Sequence, residues 1–125
     1  MIKLVFCARR HPDLTAEQFR DYWLNHHGQL FKRFASTYKA IRYVQSHTLD
    51  THLNEGMLKS RGMQTGYDGV GEIWWKDEQD FIDAISSPEG QKLRSIFIED
   101  ESRFIDLANS CAFFTEEHIL IDEAA

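Results

Sequence analysis

Long apolar runs and basic blocks are missing from this chain, and cysteine and proline are scarce. Its 125 residues include two cysteines and two prolines. Two cysteines cannot make a metal-ligand framework by themselves, and a domain of this length does not need a covalent staple. Cys7 and Cys111 both sit in apolar, strand-like stretches and read as buried free thiols rather than as a disulfide. No apolar stretch is long enough to span a bilayer. The opening Met1-Ile2-Lys3-Leu4-Val5-Phe6 is too short and too soon charged for a secretory leader. A soluble, cytoplasmic protein without a membrane partner is therefore expected. The formal net charge is -6 and no Lys/Arg stripe forms, which argues against nucleic acid as a partner. There is no HExxH and no paired-cysteine spacing, and Gly66, Gly69 and Gly71 precede a strand rather than a helix. Neither a bound metal nor a nucleotide cofactor is expected.

What is abundant is aromatic surface. Nine Phe, four Tyr and three Trp, within an apolar content of 42%, predict a ring-rich core or cavity. The most specific stretch runs from Arg9 to Gly28 and joins a strand (residues 2–8) to a helix. Pro12 and Asp13 mark the turn between them. Thr15 and Gln18 fit a capping box. Phe19, Tyr22, Trp23, Leu30 and Phe34 follow at helical spacing as one buried stripe, and Gly28 inside it should bend or interrupt the helix. Residues 39–49 predict a second strand, with Ile41, Tyr43, Gln45 and His47 on one face and Arg42, Val44, Ser46 and Thr48 on the other. Residues 50–69 show no clean period and read as a long functional or mobile loop. Residues 70–75 predict a third strand whose neighbouring glycines and large rings suggest close backbone approach or a cavity. Asp77 should cap a helix carrying Phe81, Ile82 and Ile85, and Ser86-Ser87-Pro88 should break it and start another. Leu93, Ile96, Phe97, Phe104, Ile105 and Leu107 continue at helical spacing, with Glu99-Asp100-Glu101 among them as a solvated patch. Residues 110–114 predict the last strand. One domain over residues 1–118 and an acidic tail over 119–125 are expected.

The order strand, helix, strand, strand, helix, strand is the ferredoxin-like α+β pattern, βαββαβ, with a four-stranded antiparallel sheet covered by helices on one side. Several strands are apolar on both faces, so the bare face needs a partner. A second copy packed sheet to sheet is the expected one, making a homodimer.

Arg9-Arg10, Asp13-Leu14-Thr15, Glu17-Gln18-Phe19, Tyr22-Trp23 and His26-His27-Gly28 together resemble the EthD domain family. Tyr43-Val44-Gln45-Ser46-His47, Tyr67-Asp68-Gly69-Val70 and Glu72-Ile73-Trp74-Trp75 resemble that family's second and third strands. The resemblance spans about residues 1–118 and implies a dimeric α+β barrel. It also implies cofactor-free chemistry of the kind found in polyketide-tailoring dehydratases and a methylmuconolactone isomerase, in a family whose founding member accompanies a monooxygenase. By resemblance to the isomerase pattern, His26 takes the position of a helix-one histidine, Tyr43 that of a second-strand tyrosine and His52 that of a loop histidine. The isomerase's third-strand cysteine is replaced by Ile73, a departure that counts against that reaction. Gln29 stands where many members have proline.

The candidate catalytic residues are His26, His27, Tyr43 and His47. In an unbroken helix His26 lies on the apolar stripe and His27 at its margin. A histidine held between helix and sheet favours its neutral form, a competent base near pH 7. The alternative is a core histidine satisfied by a backbone carbonyl. His26 and His27 point about 100° apart on a helix, which does not suit one shared metal ion. Tyr43 and His47 alternate onto one face, where they could steady a developing oxyanion. Candidate ligand contacts are the flat walls of Trp23 and Trp75, the loop residues His52 and Tyr67, and Arg9 as a carboxylate anchor.

The function this supports is a cofactor-free lyase or isomerase. It would move protons on a small hydrophobic oxygenated aromatic, lactone or polyketide-like molecule. The alternatives are a cofactor-independent monooxygenase (an oxidoreductase) of the same fold and a non-catalytic dimeric binder.

Overall fold

The computed structural model describes residues 1–124. Strand β1 (Ile2–Ala8) leads into α1 (Ala16–Tyr22), a π-helical turn (Trp23–His27) and α2 (Gly28–Phe34). Then come β2 (Arg42–His47), α3 (His52–Arg61), β3 (Gly69–Trp75), α4 (Glu78–Ser86), α5 (Pro88–Phe104), a 3-10 turn (Leu107–Asn109) and β4 (Cys111–Thr115). The strands form one four-stranded antiparallel sheet in the order β2-β3-β1-β4. This is the expected α+β, ferredoxin-like arrangement, with the expected caps at Thr15 and Asp77 and the expected helix restart at Pro88. Thr15 and Gln18 exchange both bonds of a capping box ahead of α1. The Asp77 carboxylate accepts from the Asp80 N–H ahead of α4. The Ser87 hydroxyl accepts from the Gly90 N–H ahead of α5, with Pro88 in its first turn.

Four expectations are corrected. Residues 50–69 are not a structureless loop, because α3 occupies His52–Arg61, capped by Thr51 at its start and by Gly62 at φ 61° at its end. None of its residues is buried. A helix that buries none of its residues needs no apolar stripe, so no period marked it. The Glu99-Asp100-Glu101 run is not a solvated patch, since Asp100 is 1% exposed. Leu107 lies beyond α5, in the 3-10 turn. Cys111 is exposed rather than buried, although both thiols are free.

The helices cover the sheet face that carries Leu4, Phe6, Ala8, Ile73 and Trp75, in two apolar clusters. One gathers Phe19, Trp23, Phe104 and Ile105, and the other Phe31, Tyr38, Trp75, Leu93 and Phe97. The end of α5 is tied to the end of β1. The His11 N–H donates to the Phe104 carbonyl at 2.8 Å, the Asp106 N–H donates to the Arg9 carbonyl at 2.9 Å, and Ile105 bridges Arg10. These bonds fix the height at which the last turns of α5 sit over the sheet. By strand alternation the opposite face presents Val5, Cys7, Val44, Val70 and Phe113. At its centre Lys3 lies 2.6 Å from Glu72. Among the described residues no element covers Phe113, which is 50% exposed.

Trp23 rests flat against β3 where two glycines leave room. A Cβ on Gly69 would lie 2.4 Å from the Trp23 ring and 2.9 Å from the Ser46 carbonyl. Gly69→Ala is expected to destabilise the fold by about 1–3 kcal/mol through overpacking. The check is a lowered urea midpoint with an unchanged slope; an unchanged midpoint would contradict the close contact.

Candidate active site

The π turn decides which histidine faces inward. The Trp23 carbonyl accepts the Gly28 N–H five residues on and, from its side, the Gln45 Nε2–H at 2.9 Å. Gly28 permits this approach, since a Cβ there would sit 2.6 Å from Gln45 Nε2. The wider turn holds one extra residue, a device often found at functional sites. Phe19, Trp23, His27 and Phe31, each four residues apart, are therefore all buried. His26, which an unbroken α-helix would turn inward, has a side chain 57% exposed. The inward histidine is thus His27 and not His26.

His27 Nδ1 lies 2.7 Å from Asp100 Oδ2. A carboxylate accepts, so Nδ1 carries the proton and Nε2 is left with its lone pair. Asp100 also accepts the Tyr22 hydroxyl at 2.5 Å and Arg103 Nη1 at 3.2 Å. His26 Nδ1 stands 3.4 Å from its Oδ1, with the His26 ring stacked on Tyr22. Burial pushes the Asp100 carboxyl upward, but the bonds from Tyr22 and His27 more than reverse this and hold it below the usual carboxylate range. Burial lowers His27, and the bond to Asp100 opposes that only in part. His27 is therefore a neutral base at pH 7, oriented by a buried anion.

His27 lines a cavity of about 220 Å³ between the helices and the sheet. Its walls are rings: Trp23, Phe31, Trp75, Phe81 and Phe97. Four other residues with polar side-chain groups line it: Tyr38, Tyr43, Glu101 and Arg94. The Tyr43 oxygen accepts the second Nε2–H of Gln45 at 2.7 Å, so its own hydroxyl proton is left for a ligand. Burial raises the Tyr43 hydroxyl, with the Gln45 bond partly offsetting, and keeps it a donor. Glu101 is pushed up to about 7, first by burial and then by the charge of Asp100. The cavity thus holds a neutral base and a carboxylic acid whose environments have moved their titrations past each other, a pairing suited to acid–base work.

The expected site is brought together only in part. Trp23, His27, Tyr43 and Trp75 line the cavity. His47 stacks on Trp23, bonds Gln45 Oε1 at 2.8 Å and faces an open groove of about 600 Å³ outside. It acts on Tyr43 only through Gln45. His52 is exposed at the start of α3. Tyr67 sits beside Cys111, its hydroxyl 3.4 Å from that sulfur, away from the cavity. Arg9 donates to the carbonyls of Gly66 and Thr65 and lies over the Tyr67 ring. It ties down a loop instead of anchoring a ligand. Asp100, Glu101, Arg94 and Gln45 escaped sequence reasoning. The one available signal was Gln45, which shares the strand face of Tyr43 and His47. Among the described residues no group of three or more His, Cys, Asp and Glu side chains is arranged to hold a metal ion.

Sheet, helix layer and ring-walled cavity define a ferredoxin-like α+β domain with room for a small molecule between its layers. The model of the EthD domain matches residues 11–108, and the chain belongs to that family. Among solved structures it is similar to an EthD family protein from Bacillus halodurans C-125, at 14% identity over 94% of this chain and 99% of that one, with a TM-score of 0.64. It is similar to a dimeric protein of unknown function and ferredoxin-like fold from Bacteroides fragilis NCTC 9343, at 7% identity over 93% and 95%, with a TM-score of 0.59. It is also similar to SnoaB, a cofactor-independent oxygenase from Streptomyces nogalater, at 13% identity over 97% of each chain, with a TM-score of 0.54. At such identities the likeness is one of fold. Among curated proteins nothing matches.

Folding takes up a proton on Glu101 between 4.5, its ordinary value, and about 7. The stability tied to that proton is lost as pH rises through this window. The stability of Glu101→Gln relative to wild type should therefore increase as pH is raised from 4.5 to about 7, by urea denaturation at each pH. His27 works in the opposite sense and cancels in the comparison. A constant gap would mean that the carboxyl ionises as it does in water.

Proposed function

We propose that this protein is a cofactor-free enzyme that moves protons on a small hydrophobic oxygenated molecule enclosed between helices and sheet. The observation that carries the reading is the His27–Asp100 pair on the wall of an apolar cavity. His27 Nε2 takes a proton from a carbon next to a carbonyl, and the electron pair moves onto the carbonyl oxygen. Tyr43 donates a hydrogen bond to that oxygen as its charge develops, while Asp100 stabilises the imidazolium. Protonated Glu101 gives its proton to a departing hydroxyl, which leaves as water, or His27 returns its own to a different carbon. The first course is a dehydration and the second an isomerisation. Acid–base assistance of this kind is worth roughly a hundred- to ten-thousandfold in rate. The dehydration requires His27 neutral and Glu101 protonated, so its rate falls on the alkaline side as pH passes about 7.

A second reading has the support of fold likeness to SnoaB, a cofactor-independent oxygenase. There the same substrate carbanion reacts with oxygen. Loss of turnover without oxygen would favour that reading. In either case we propose a homodimer in which the uncovered sheet faces, with Val5, Val44, Val70 and Phe113, pack together. The likeness to a dimeric protein from B. fragilis supports a dimer. Light scattering at micromolar concentration should give about twice the monomer mass, and a monomer mass would count against it.

The base can be tested without the natural substrate. With 1-tetralone in deuterated buffer, wild-type protein should speed deuterium entry beside the carbonyl, followed by proton NMR. His27→Gln should lose this acceleration by a hundredfold or more. His26→Gln should keep it within about threefold, as expected of a side chain outside the cavity. Equal losses in both variants, or none in His27→Gln, would overturn the assignment.

A further inference from the structure

The apolar cavity carries one unexplained cation. Arg94, Ile98 and Glu101 stand at i, i+4 and i+7 on α5 and line the same hollow. Beside them along the helix, Leu93, Phe97 and Asp100 are buried, whereas Arg94 is exposed and Ile98 is 45% exposed. Arg94 and Ile98 therefore mark the mouth, with Glu101 further in. Several arginines elsewhere have evident partners. Arg10 pairs with Asp68, Arg103 with Glu99 and Asp100, and Arg42 covers Trp74. Among the described residues no carboxylate lies within ion-pair distance of Arg94, in a chain with 20 acidic side chains. The charge of Arg94 is nevertheless felt by the Tyr38 hydroxyl on the cavity wall, where it opposes the upward push of burial.

We propose that Arg94 anchors an anion and that the cavity takes a one- or two-ring carboxylic acid, its rings in the hollow and its carboxylate on Arg94 at the mouth. This rests on the reading of the cavity as the substrate site and names the substrate class. The volume fits. An apolar cavity of about 150 Å³ holds benzene, and this one is about 220 Å³. The charge fits as well. A protein of net charge -6 repels anions in general, so an acid enters only where a local cation outweighs that field. A guanidinium presents two parallel donors to a carboxylate, a pairing stronger than one between neutral groups. Glu101, protonated below about 7, does not cancel this charge.

The experiment is a calorimetric titration at about pH 6.5 with 2-naphthoate and its uncharged methyl ester, on wild type, Arg94→Met and Arg94→Lys. Wild type should bind naphthoate at least tenfold more tightly than the ester. Arg94→Met should weaken naphthoate at least tenfold and leave the ester within twofold, and Arg94→Lys should restore part of the preference. If the ester binds and naphthoate binds no better, or if the preference survives in Arg94→Met, the anion anchor is wrong and the cavity reading stands. If neither compound binds wild type, the cavity reading falls and takes this proposal with it.

Discussion

The site depends on one hydrogen bond, from His27 Nδ1 to the fully buried carboxylate of Asp100. A buried carboxylate is expensive unless donors surround it. Tyr22, His27 and Arg103 supply them from two different helices. Removing any one would leave charge less compensated, so the first helical segment and α5 are held in fixed relation. The same bond places the imidazole proton on Nδ1. Position and tautomer are thus set by a single contact, and the remaining nitrogen is the one available to a ligand.

That contact needs His27 to face inward, which traces back to packing on β2 and β3. Gln45 rises from β2 to the Trp23 carbonyl and Gly28 leaves room for it. Gly69 and Gly71 let the Trp23 ring lie against the sheet. With Trp23 held there and the turn after it widened, the chain reaches its next inward position at residue 27. Gln45 also takes the Tyr43 oxygen as an acceptor, so one amide organises both the helix turn and the hydroxyl in the cavity.

Much of the architecture was legible in the chain. Capping residues Thr15 and Asp77, the Ser86-Ser87-Pro88 break and the alternation through β2 act over a few residues, and the structure obeys them. What was not legible arises from contacts between distant segments. Asp100 sits in an acidic triplet that resembles a solvated surface, and only Tyr22 and His27, more than seventy positions away, make it a buried anion. The rise of Glu101 follows from its burial and from that anion's charge. Helix α3 was missed for the opposite reason: none of its residues is buried, so burial left no pattern in them.

By itself the sequence determined the strand and helix order, the caps, the ring-rich interior and a histidine pair at the end of the first helical turns, because these depend on short-range periodicity and on residue type. It also carried the motifs of the EthD domain family. The tertiary structure alone decided that His27 and not His26 faces the cavity, that Asp100 orients it, and that Glu101 and Arg94 join it while His52, Tyr67 and Arg9 do not. The physical reason is that a helical register shift of one residue, and the desolvation of a charged group, are set by what packs against them from elsewhere in the chain.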